Sequence, residues 1–355
     1  MPLPPPLVIE PPLVNSSNPW ATDLDDLSAL YDCPFTGAVT TRTSLSHDGF
    51  AENPQVHKYT FFNPVSHQVG EGNGQDQSVA AAASVNSLGY SPIPIMGYLR
   101  MIADIEKSQT EEGRVRNPKK GFIVSVTGAP VHVAALYGLI ACTQSRTTLP
   151  LAMEINLSCP NIPNAPPPAY DADSLLEYLG FLQVLIDSPS EEPRIPFGIK
   201  TPPYTHPAEF QALMTALRQS AQETADGVCP VSFITATNTL GSCLVLDGDG
   251  KPALPGSGLG GMGGASLHPL ALGNVATIRR MLDDEKDSLG HIQVLGVGGV
   301  MDADGYRRMR SAGAFAVGVG TGLGIKGVDI FREISEGLAI KGEEDLAVKT
   351  ESTDE

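Results

Sequence analysis

The chain has 355 residues, 41% of them hydrophobic, with 40 acidic against 23 basic side chains and a formal charge of −17. That length suits one large α/β domain and is too great for a small one. The acidic balance disfavours phosphate backbones and anionic lipid surfaces, so neither nucleic acid nor a membrane is an expected partner. Five cysteines, an odd number with no CxxC spacing, argue against a disulfide framework, a zinc site or an iron–sulfur cluster, and fit a reducing, cytoplasmic compartment. The Pro-rich start, Met1–Pro12, has the pattern of neither a signal peptide nor a transit peptide. The longest apolar run, Val131–Cys142, is too short to span a bilayer.

Along the chain, short apolar runs rich in strand formers alternate with helical patterns. The strands are predicted at Ala38–Thr41, Gly121–Val126, Met153–Leu157, Phe197–Lys200, Phe233–Ala236, Val294–Val297 and Ala316–Val319. Helices are predicted at Ser174–Ile186, Pro207–Thr224, Pro269–Leu282, Ala303–Ala312 and Val328–Leu338. Continuous apolar strands joined by helices mean βαβ units and a parallel sheet covered on both faces. An open doubly wound sheet has the same alternation. What favours a closed (β/α)8 barrel is that polar or glycine residues sit at the C-terminal end of strand after strand, at Arg42, Asn156, Lys200, Asn238, Gly298 and Gly320, where a barrel would gather them at one mouth. Asn63–Ser84 and Leu240–Ser266 read as insertions, the second as a hairpin turning at Asp247-Gly248-Asp249-Gly250. The expectation is one barrel domain over residues 1–342, with loops and hairpins inserted at its mouth, and an acidic, disordered tail over 343–355.

Four segments carry chemistry. In Met153–Asn161 a strand ends in Asn156 and turns through Ser158-Cys159-Pro160-Asn161. Two amides beside a strand end can read the edge of an imide ring, and a loop cysteine can act as a proton-transferring base; the alternative is a turn with a small buried Cys. Phe197–Tyr204 places Lys200 at a strand end, where a cation serves to stabilise an anion or to form a Schiff base. Phe233–Thr239 ends in Asn238 and Thr239, which could equally cap the next helix. Gly296–Val300 and Gly318–Gly322 are glycine turns after two successive strands, the pattern of a barrel phosphate site. Two GxGxxG spacings, at Gly258/Gly260/Gly263 and Gly322/Gly324/Gly327, lack the strand or acidic residue that a dinucleotide fold requires. None of the seven histidines has metal-ligand spacing, and no metal is expected.

In this order the segments Asn156–Asn161, Gly198–Tyr204, Ala236–Thr239, Gly258–Gly264, Gly296–Gly299 and Gly318–Leu323 resemble the dihydroorotate dehydrogenases, in particular the soluble, fumarate-dependent class 1A. The likeness covers about Asn15 to Leu338. It implies a homodimeric, cytoplasmic flavoprotein of pyrimidine biosynthesis with FMN as cofactor, dihydroorotate/orotate and fumarate as ligands, and neither nucleic acid nor membrane as partner. Carried over by motif, Cys159 is the base and Lys200 stabilises the reduced flavin. Arg42, Asn86, Asn156, Asn161, Asn238 and Thr239 bind substrate. Ser17, Arg42, Asn156, Lys200, Gly298, Gly299, Gly320 and Thr321 hold the cofactor, and Ser158–Ala169 is a lid. Two positions depart from the family. Arg42 stands where a Lys is usual, in Thr41-Arg42-Thr43, and Asn18 stands where a Gly is usual. Other readings are a dihydropyrimidine-type flavin oxidoreductase, a flavin-binding paralogue with little turnover, and a Schiff-base aldolase.

Overall fold

A computed structural model describes residues 3–70, 80–111, 117, 119–159 and 167–351. Its strands are β1 (Leu13–Asn15), β2 (Ala38–Thr40), β3 (Tyr59–Phe62), β4 (Ala83–Asn86), β5 (Gly121–Val126), β6 (Leu151–Asn156), β7 (Phe197–Thr201), β8 (Phe233–Ala236), β9 (Leu240–Leu244), β10 (Leu259–Gly264), β11 (Gln293–Val297) and β12 (Ala316–Val319). Its helices are α1 (Leu24–Asp32), α2 (Ile95–Glu111), α3 (Pro130–Gln144), α4 (Ala172–Asp187), α5 (Pro207–Glu223), α6 (His268–Asp283), α7 (Ala303–Ser311), α8 (Thr321–Lys326) and α9 (Asp329–Glu351). Eight parallel strands close in the order β1-β12-β11-β8-β7-β6-β5-β2, which is the expected (β/α)8 barrel.

Period-two alternation explains the layering. Phe122, Val124, Met153, Ile155, Phe197, Ile199 and Ile234 face outward and pack under the helices. Their neighbours Ile123, Ala152, Phe233 and Leu295 fill the barrel with Val14 and Ala38. The Phe233 ring needs Gly198 beside it, since a Cβ there would lie 2.4 Å from the ring. The Pro-rich N-terminus sends Leu7 and Ile9 into the same inner cluster. There Leu7 N–H donates to Gln293 Oε1 (2.7 Å) and Gln293 Nε2 donates back to Leu7 O (3.1 Å). Helix starts follow local chemistry. Asp23 caps α1 in a box with Asp26, Asp171 caps α4, Asp302 caps α7, and α3, α5 and α6 begin with Pro in their first turn.

Two expectations change. The first barrel strand is Leu13–Asn15, so the strand before Arg42 is the second. Three residues between prolines and a turn are too short to show a period. The two insertions do not stay separate: β3, β4, β10 and β9 form one antiparallel sheet, with Gly261 opposite Asn86 and Tyr59 opposite Asn86.

The core holds acids that must stay neutral. Burial raises the Cys229 thiol to about 12 and the Tyr98 phenol to about 12 from ordinary values of 9.0 and 10.0. Both are raised above the unfolded values, so their contribution is complete below pH 9 and is lost as pH rises toward 12. Denaturant midpoints should therefore fall over that range, and Cys229→Ala should give a shallower fall than wild type.

Candidate active site

The mouth of the barrel opens into a cavity of about 1010 Å³, counting space open to solvent. Arg42, Asn156, Lys200, Asn238, Gly298 and Gly320, predicted to converge from separate strands, all line it. So do Ser17, Asn86, Cys159, Thr239, Gly299 and Thr321. Asn161 lies outside the described residues, together with much of the Ser158–Ala169 loop.

Below the cavity floor runs a continuous polar network. Glu154, on β6 two residues before Asn156 and therefore on the same inner face, is fully buried. It accepts from Ser125 Oγ (2.9 Å) and Thr235 Oγ1 (2.7 Å). Because Ser125 donates to Glu154, it accepts from Thr43 Oγ1 (3.0 Å); Thr43 in turn accepts from Ser17 Oγ (3.0 Å) and Asn156 Nδ2 (2.9 Å). Asn156 Oδ1 accepts from Ser158 Oγ (3.0 Å) and Asn238 Nδ2 (3.3 Å), and Asn238 Oδ1 accepts from Thr239 N–H (2.8 Å). Each amide is thus held in one orientation by neighbours from other strands.

Lys200 is level with Asn156 and Thr235 in the strand register and only 3% exposed. Its Nζ lies 3.5 Å from Ser17 O and 4.0 Å from Glu154 Oε1. These are long contacts for a buried ammonium, and they leave its charge available to an anion in the cavity. Thr237 Oγ1, also lining the cavity, is buried with no hydrogen-bond partner among the described residues. At the opposite wall, Gly298 and Gly299 have φ of 139° and 70°, and a Cβ at Gly299 would lie 2.5 Å from Gly264 O. A side chain there would be strained and would meet the neighbouring backbone. Thr321 begins α8 and shares a hydrogen bond with Ser84 Oγ (2.8 Å), which ties the inserted sheet to this wall.

Sequence reasoning missed several participants. Glu154 reads as one polar residue in an apolar strand, though its two-residue spacing from Asn156 placed it inside the barrel. Trp20 stacks on Phe61 (5.6 Å, 23°) and meets Tyr59 edge-on (5.3 Å), forming an aromatic wall with no local signal. His268 accepts from Arg308 Nε at Nε2 (3.0 Å), which leaves Nδ1–H to donate to Gly298 O (2.7 Å) and steady the glycine turn. Tyr90 lines the cavity, and its phenol is pushed up by burial, then by the neighbouring Cys159. Asn18 is accommodated in a local turn, donating to Ser16 O (2.7 Å) and accepting from Trp20 N–H (2.8 Å).

Comparison with known proteins supplies the context. The family model described as dihydroorotate dehydrogenase matches residues 60–341. The chain belongs to the dihydroorotate dehydrogenase family. It is 30% identical over 273 residues to a dihydroorotate dehydrogenase (fumarate) of Trypanosoma cruzi, covering 76% of each chain. To the protein of that name in Trypanosoma brucei brucei it is 32% identical over 259 residues, 72% of each. To dihydroorotate dehydrogenase A (fumarate) of Lactococcus lactis subsp. cremoris it is 27% identical over 270 residues, 74% of this chain and 76% of that one. The barrel is thus that of a dihydroorotate dehydrogenase family member.

The Glu154–Lys200 level supports both the barrel and its mouth. Glu154→Leu removes the acceptor shared by Ser125 and Thr235 and the counter-charge of Lys200, and should cost about 3–5 kcal/mol of stability in denaturant unfolding. Adding Lys200→Met should recover part of the loss, because the uncompensated buried charge is then gone.

Proposed function

We propose that this chain is an FMN-dependent dihydroorotate dehydrogenase that oxidises (S)-dihydroorotate to orotate and passes the electrons to fumarate, a step of de novo pyrimidine biosynthesis. One observation carries the reading: a cysteine on a loop, a buried lysine and amides held in fixed orientation line one cavity, opposite a glycine-built wall. The residues fit the cofactor. Gly298, Gly299 and Gly320 line one wall of the cavity with bare backbone, and added Cβ atoms there would meet Ala271, Gly264 and Ser16; Thr321 follows at the start of α8. Thr237 Oγ1 is a buried hydroxyl that a bound ring could satisfy, and Lys200 supplies a buried positive charge.

In this reading Ser17, Arg42, Asn156 and Lys200 hold the flavin ring, and the glycine wall holds its phosphate. Arg42 also faces the substrate and meets its carboxylate, while Asn86, Asn156, Asn161, Asn238 and Thr239 bind the pyrimidine, the amides of Asn156 and Asn238 held as described. Bound FMN supplies the two-electron acceptor for the hydride that leaves C6 of dihydroorotate. The Cys159 thiolate takes the C5 proton, so that the C5–C6 bond becomes double. Lys200 balances the negative charge that arrives with the electrons, at a depth where no bulk water competes with it. Fumarate would then occupy the vacated substrate site, take up the two electrons given up by dihydroorotate together with two protons, and leave as succinate. The same reading carries a cytoplasmic homodimer with one FMN-binding barrel domain per chain. Among the described residues no helix is long and apolar enough to cross a membrane.

The purified protein should be yellow, and anaerobic dihydroorotate should bleach it; a protein with no flavin absorbance that cannot be reconstituted with FMN would end the proposal. Cys159→Ala should retain FMN and orotate while slowing flavin reduction by about 10²–10⁴-fold, the usual effect of losing a general base. In stopped-flow reoxidation, fumarate should outpace both ubiquinone and NAD.

A further inference from the structure

Arg42 is buried, lines the cavity and stands where the family has a lysine, yet its guanidinium is already engaged. Nη2 donates to Glu52 Oε1 and to Gly89 O (3.3 Å). A guanidinium presents two paired edges to a carboxylate, Nη1 with Nη2 and Nε with Nη2. Both include Nη2, which has two hydrogens, and Glu52 and Gly89 take them. A ligand carboxylate can therefore reach Arg42 in the strong bidentate mode only after Glu52 lets go.

Glu52 is held in place by its loop. Asn53, the next residue, closes a turn: its carbonyl accepts from Val56 N–H (2.9 Å) and His57 N–H (2.7 Å), and its own N–H donates to His57 Nδ1 (2.8 Å). Phe50 N–H donates to Ser91 O (2.7 Å). The Phe50 ring packs on His57 (5.0 Å) and Tyr90 (6.0 Å), and lies where a Cβ at Gly89 would be, 2.2 Å away. The loop thus docks on the Leu88–Tyr90 wall of the cavity. Glu52 remains partly exposed, its side chain at 32% of full accessibility, so water can take over its carboxylate when it leaves.

We propose that Glu52 is a specificity-determining residue that competes with ligand carboxylates for Arg42, so that a carboxylate-bearing ligand binds by exchange with Glu52 and frees the loop around residues 46–57. The inference rests on the reading that the cavity takes orotate and fumarate. It makes Arg42 a cation whose availability is set from outside the barrel, and it gives the Lys-to-Arg departure a consequence: a lysine has no bidentate edge to open or close.

The test uses the full-length flavoprotein and calorimetric binding of orotate, fumarate and uracil, the last being the ring without the carboxylate. Glu52→Gln should tighten orotate and fumarate roughly three- to tenfold, the range expected for losing a partly exposed competing ion pair, and leave uracil unchanged. Asp48→Asn removes the same charge from an exposed site on the same loop and should leave all three unchanged. In an Arg42→Gln background the Glu52 effect should vanish. Hydrogen exchange across residues 46–57 should quicken when orotate saturates the wild type, and should already be fast in Glu52→Gln. Unchanged or weaker orotate binding in Glu52→Gln, equal tightening of uracil, or tightening that survives Arg42→Gln would each overturn the proposal. Failure of orotate to bind any of these proteins would overturn the functional reading itself.

Discussion

Glu154 is a carboxylate buried in the middle of a barrel, and most of the site hangs from it. A charge at that depth is costly unless hydrogen-bonded and paired. Ser125, Thr235 and Lys200 meet that requirement from the two neighbouring strands and the next one over. Once Ser125 is committed as a donor, the hydroxyl of Thr43 is committed in turn, and with it the side chains of Ser17, Asn156 and Asn238. The orientation of the amides at the mouth is therefore set by a carboxylate in the layer beneath. Parallel strands in fixed register make this possible, since Asn156, Lys200 and the residues opposite them are levelled by the same ladder.

The mouth is walled by something the barrel does not provide. Two insertions, far apart in sequence, pair as one antiparallel sheet, and Asn86 is placed where β3, β4 and β10 meet. This sheet bonds to the glycine wall through Ser84 and Thr321 and stacks its aromatic face, Tyr59 and Phe61, on Trp20. Its edge continues into the Leu88–Tyr90 segment, on which the Glu52 loop rests. Chemistry at the strand ends and access from outside are thus handled by different layers, a stiff barrel and an added sheet.

Legibility followed the range of the interaction. Asn156, Lys200, Asn238 and the glycine turns were readable because each is the polar or flexible end of an apolar run, a local contrast that survives in one dimension. Leu13–Asn15 was missed because three residues carry no period. The helix α3 was missed for a related reason. Val131–Cys142 is apolar nearly all round, as a helix pressed against a sheet can be, and so lacks an amphipathic stripe. Arg42 was correctly placed at the mouth, but its partner Glu52, ten residues on in an irregular loop, has no spacing that marks it.

By itself the sequence determined the fold class, the order of the strand-end groups and the family, because alternation, strand-end contrast and glycine turns are properties of neighbouring residues. Tertiary structure alone decided what those groups can do. The depth of Lys200 beside Glu154, the orientation of Asn156, the closure of both bidentate edges of Arg42 and the joining of two insertions into one wall all depend on distances between residues tens to hundreds of positions apart. Barrel closure and the pairing of the added sheet bring such residues within hydrogen-bonding reach, and hydrogen bonds and ion pairs act at a few ångströms regardless of sequence separation.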